Sequence, residues 1–125
     1  MKVKNYVLES LLQCQGLRNL FESANLPIHV SFRIAKLVRA LEEASTPYLQ
    51  TKQKLISRHS NNGKIDNPSK FQGEMEKLLN EETELVGVDG KIKLRIKDIP
   101  SNVLSPKDIL TLQEVFDFVE EDKDG

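Results

Sequence analysis

Residues 27–58 set the terms on which this chain can fold. Phe32, Ile34, Ala35, Leu37, Val38, Leu41, Ala44, Ser45, Tyr48, Leu55 and Ile56 recur at three- and four-residue spacing, the apolar stripe of one α-helix. Arg33, Lys36, Arg39, Glu42 and Glu43 occupy much of the remaining surface, and Pro27 suits a first helical position. A helix of roughly 32 residues spans about 48 Å, whereas a compact chain of 125 residues has a radius of gyration of only about 14 Å. Such a helix must protrude or be paired along its length. Pro47 removes one backbone bond and crowds the preceding turn, which predicts a kink or a split there.

The partner for that helix is legible in the charge. A formal net charge of −1 conceals eleven Lys and Arg against five Asp and Glu in residues 1–70, and seven against fourteen in residues 71–125. Asn61-Asn62-Gly63 and Asp66-Asn67-Pro68 are turn signals. Asn67 as cap and Pro68 at the first position open a helix to about Leu85. Phe71, Met75, Leu78, Leu79 and Leu85 follow the seam spacing of paired helices, flanked by Glu74, Glu76, Glu81, Glu82 and Glu84. A basic and an acidic helix side by side neutralise one another. The expectation is a mainly α domain over 1–119 with a minor β part: a long antiparallel helical hairpin, a small β-hairpin and a flanking C-terminal helix.

The remaining elements are shorter. Tyr6, Val7, Leu11, Cys14, Leu17, Arg18 and Phe21 mark a helix over about 4–22, its stripe widened by Leu8, Leu12 and Leu20. Gly16 in its interior costs about 1 kcal/mol against Ala, a cost that leaves room for a break there. Ile92, Leu94 and Ile96 alternate with Lys91, Lys93, Arg95 and Lys97, and Asp89-Gly90 signals a two-residue turn. Together they predict a hairpin of 84–88 with 91–97. Ser105-Pro106-Lys107-Asp108 resembles a capping box and opens a helix over 106–119, with Ile109, Leu112, Phe116 and Val119 on one face. Residues 120–125 read as an acidic, frayed tail.

Catalytic and metal chemistry find little support in these residues. His29 and His59 have no acidic or thiol residue at ligand spacing, and three or four converging donors are needed to hold a metal. Cys14 lies on an apolar stripe and reads as a small core residue. There is no serine elbow, and Gly87-Val88-Asp89-Gly90-Lys91 lacks the length and hydroxyl of a phosphate loop. It reads as the hairpin turn. Glu74, Glu81, Glu82 and Glu84 lack the Glu-x-x-His of bundle metal sites. Leu11-Leu12-Gln13-Cys14 superficially resembles a lipoprotein cleavage site, but Glu9 and Ser10 interrupt the apolar run. No cofactor, cleavable leader or membrane span is expected, and neither is enzymatic activity.

Leu26-Pro27-Ile28-His29-Val30-Ser31-Phe32-Arg33-Ile34-Ala35-Lys36-Leu37, Glu74 with Leu78-Leu79-Asn80-Glu81-Glu82, Ile92-Lys93-Leu94 and Leu104-Ser105-Pro106-Lys107-Asp108-Ile109 follow in an order that resembles a group of small uncharacterised proteins of tailed bacteriophages, over about residues 26–119. Pro47 departs from that pattern. The resemblance implies a phage protein of the bacterial host cytoplasm or the virion, with a part in particle assembly or in managing the host. It brings no site residues with it.

The leading expectation is a non-enzymatic protein that binds another protein or itself as a homo-oligomer. Tyr48 and Leu49 beside the kink, with Glu74, Glu81, Glu82 and Glu84, are the candidate contacts. A second possibility is an inhibitor that places the acidic helix in the nucleic-acid groove of a host enzyme. A third is a weak nucleic-acid binder using Lys91, Lys93, Arg95 and Lys97, in which each neutralised phosphate would contribute salt-dependent affinity. No aromatic residue interleaves with that row to stack bases, and lysines on an edge strand also guard against edge pairing.

Overall fold

The computed structural model describes residues 1–120, so the tail beyond Glu120 lies outside the described residues. Its spine is α3 (Ile28–His59), a single helix of 32 residues. Pro47 does not split it. Pro47 and Glu43 are both exposed, so the Glu43 carbonyl that loses its backbone partner faces water rather than the core. The opposite face buries Val30, Ile34, Leu37, Ala40, Leu41, Ala44, Tyr48, Leu55 and His59.

That face is covered piecewise. α1 (Asn5–Leu12), α2 (Gln15–Glu22), α4 (Pro68–Asn80) and β5 (Ile92–Arg95) all pack against α3. The helix expected over 4–22 is broken at Gln13–Cys14, which lets its two halves turn different faces inward. Gly16, at the start of α2, permits a close approach. A Cβ there would sit 2.6 Å from Asp108 Cβ and 2.7 Å from Leu104 Cδ2.

The helical hairpin forms, with unequal arms. α3 leads into β2 (Ser60–Asn61), which pairs antiparallel with β3 (Lys64–Ile65). Asn62 and Gly63 between them have φ of 54° and 80°, the left-handed pair of a type I′ turn. Asn67 then caps α4, its side chain accepting from Lys70 N at 3.2 Å. α4 has 13 residues, so at about 20 Å it lies along only the C-terminal part of α3. It ends at Asn80 rather than near Leu85, and of its residues only Leu78 is fully buried.

The strand expectation is corrected in location and pairing. Residues 84–88 and 91–97 do not form a hairpin. β4 (Glu82–Glu84) pairs antiparallel with β1 (Lys2–Lys4), setting Lys2 beside Glu84 and Lys4 beside Glu82, opposite charges that favour this register. The tight turn lies at Leu85–Val88, where Val88 N donates to Leu85 O at 3.2 Å and Gly87 has φ 86°. β5 instead pairs in parallel with β6 (Phe116–Val119). The last helix, α5 (Pro106–Leu112), is therefore shorter than expected, although its capping box of Ser105 and Asp108 is complete. Phe116 is the buried residue of strand β6 rather than part of a helix face. Its ring joins Ile92, Leu94, Leu112 and Val115 in the core.

One buried polar clip ties the N-terminal segment to α4 and β4. Asn5 Nδ2 donates to Leu78 O at 2.8 Å, Asn5 N donates to Glu81 O at 2.9 Å, and the Thr83 hydroxyl donates to Asn5 Oδ1. Among the described residues no buried side-chain polar atom lacks a partner.

Candidate interaction surface

The bend between α1 and α2 leaves a groove against the middle of α3. Leu11 and Leu12 of α1, Cys14 in the bend, Leu17 and Phe21 of α2, and Val38 and Leu41 of α3 form its apolar walls around a cavity of about 400 Å³. Arg18, Glu22 and Glu42 stand at its rim. Phe21 is 49% exposed, a large ring left half outside the core. Neither Arg18 nor the two glutamates forms an ion pair among the described residues. Cys14 lines the groove, but burial pushes its thiol up, and Sγ lies 3.7 Å from Asp108 Oδ1. The thiol is therefore a poor nucleophile.

The residues singled out from the sequence do not gather in one place. Tyr48 is only 4% exposed, and its hydroxyl donates to Glu9 Oε2, which also accepts from Lys52 Nζ at 3.1 Å. Its ring is thus core, and Leu49, at 50% exposure, is the apolar residue of the pair that reaches solvent. Glu74 is engaged by His59 Nε2 at 2.6 Å, while Phe71 meets the same imidazole edge-on. Glu81 caps α4, and Glu82 and Glu84 stand on β4 beside the lysines of β1. Glu84 lies 3.3 Å from the Met1 ammonium. No acidic helix face results, because the helix stops before Glu81.

The basic row is likewise dispersed. Lys93 neighbours Asp117 across the parallel ladder, Arg95 Nε donates to Asp98 Oδ2 at 3.0 Å, and Lys97 sits in the 3₁₀ turn Ile96–Asp98. Lys91 precedes the strand and lines a separate cavity beside α3. Among the described residues no group of His, Cys, Asp or Glu converges to hold a metal ion, and no helix is long and apolar enough to cross a membrane.

In the sequence the groove residues read as one core stripe. Leu8, Leu12 and Leu20 widen the stripe of residues 4–22 beyond what one helix face buries, and that excess width was the available signal. Comparison with protein families, curated proteins and solved structures finds no match.

Proposed function

We propose that this chain is a non-enzymatic interaction protein that assembles with a second copy of itself through the groove between α2 and α3. The observation carrying this reading is the rim: one base, Arg18, and two acids, Glu22 and Glu42, with no ion pair among the described residues, border a half-exposed Phe21. A two-fold axis through such a patch sets each copy's arginine against the other's glutamates and brings the apolar walls together. Apolar surface ringed by complementary charge is the anatomy of a specific interface. Particle assembly, one of the two roles that the resemblance of residues 26–119 to phage proteins implies beside managing the host, would call for such self-association.

A charge exchange tests the reading. Arg18→Glu should weaken the dimer at least tenfold in sedimentation equilibrium, Glu42→Arg should do likewise, and the double variant should regain part of the loss. Purely additive losses in the double variant would refute the rim pairing. The inhibitor alternative has less support, because Glu74, Glu81, Glu82 and Glu84 are divided between a helix, its cap and a strand.

A further inference from the structure

The Gly87–Lys91 segment, with no hairpin to close, has another placement. Val88 and Ile92 are 7% and 4% exposed, so the segment is pinned at both ends while Asp89, Gly90 and Lys91 stay exposed. It lies over the basic face of α3. Arg33, Lys36 and Lys91 line one cavity of about 250 Å³ together with Gly87, Asp89 and Gly90. Arg33 and Lys36 are one turn apart on the same helix face, and some fifty residues of chain separate them from the loop.

Three cations against one carboxylate leave this cavity electropositive. Lys36 lies over the Phe32 ring, with Nζ 5.0 Å from the centroid. Arg33 and Lys91 have no ion pair among the described residues. Mutual repulsion of cations held around one concavity falls when an anion enters. A Cβ at Gly90 would meet nothing within 4 Å, so the backbone there is open to a ligand. An arginine fork and two ammonium groups form a donor set suited to phosphoryl oxygens.

We infer that the cavity between α3 and the Gly87–Lys91 loop binds the phosphoryl group of a small phosphomonoester. Its volume is below that of pockets enclosing whole drug-sized ligands, about 300–1,000 Å³, so it takes the phosphoryl end and leaves the remainder outside. A nucleic-acid strand is the less favoured ligand. The cations that would continue a track are engaged elsewhere: Arg39 Nε bonds Glu43 at 3.1 Å, and Arg95 bonds Asp98.

The test is a titration of the full chain with inorganic phosphate at low ionic strength, followed by the amide resonances of Gly87, Gly90 and Lys91. Potassium chloride at matched ionic strength is the reference. Phosphate is expected to move these resonances saturably, and Arg33→Gln or Lys91→Gln to weaken binding at least tenfold. Arg39→Gln, outside the cavity, should leave it within twofold. Ribose 5-phosphate binding tighter than inorganic phosphate identifies a phosphomonoester as the ligand, whereas tighter binding of inorganic phosphate overturns that assignment. Equal shifts with chloride, or unchanged binding in the Arg33→Gln, Lys91→Gln double variant, would overturn the site itself. An oligonucleotide that binds more tightly than either and is weakened equally by Lys93→Gln would replace it with a nucleic-acid surface.

Discussion

Single residues carry two of the tightest constraints in this fold. Gly16 is needed for space rather than for backbone conformation, since a methyl group there collides with Asp108 and Leu104. Gly16→Ala gains helix propensity and still should lose about 1–3 kcal/mol through overpacking, measured as a lower urea midpoint. A more stable variant would mean that α5 can move away from α2 freely. Three carboxyls set the response to acid. The Ser105 amide holds Asp108 below its ordinary 3.8. The Tyr48 hydroxyl and the His59 side chain do the same for Glu9 and Glu74, each ordinarily near 4.5. A carboxyl with a lower pKa in the folded than in the unfolded state stabilises the fold when ionised. Its contribution is complete above about pH 5 and lost as pH falls through 4 and below. Melting temperature should therefore fall as pH drops from 5 to 3, less steeply in Asp108→Asn. An equally steep fall in that variant would remove the capping box from the explanation.

Among the elements, legibility followed how local the determining interactions were. α3, the Asn67 cap, the Asn62-Gly63 turn and the Ser105–Asp108 capping box are encoded within a few residues of themselves, and all were readable. Strand partners were not. Lys2 and Lys4 meet Glu84 and Glu82, and Ile92 meets Phe116, across separations that no periodicity reports. Phe116-Asp117-Phe118-Val119 has a period-two pattern, but Leu112 and Phe116 are four apart and Val119 three further, spacings that also fit a helix. The groove was hidden for a related reason, since the break at Gln13–Cys14 reorients half of an apparently continuous stripe. Continuity of α3 through Pro47 depends on exposure, which the sequence pattern leaves open. Because the freed Glu43 carbonyl is at the solvent face, Pro47→Ala should preserve the fold and add about 1–3 kcal/mol by restoring propensity and one backbone bond. A loss of stability in chemical denaturation would show instead that the proline shapes the packing of α3.

For the whole molecule, the spine and its piecewise cover leave two surfaces of different character. The groove beside Phe21 is apolar with a rim of mixed charge, and the cavity under the Gly87–Lys91 loop is small and electropositive. We propose self-association for the first and a phosphoryl ligand for the second, so perturbing one should leave the other intact. The groove decides between an assembling protein and a solitary one. Sedimentation velocity of the wild-type chain and of Phe21→Asp, across a concentration series, tests it most directly. A concentration-dependent dimer is expected for the wild type and a folded monomer for Phe21→Asp, with unchanged circular dichroism. A wild-type chain that stays monomeric at the highest concentration, or a variant that dimerises equally well, would contradict it.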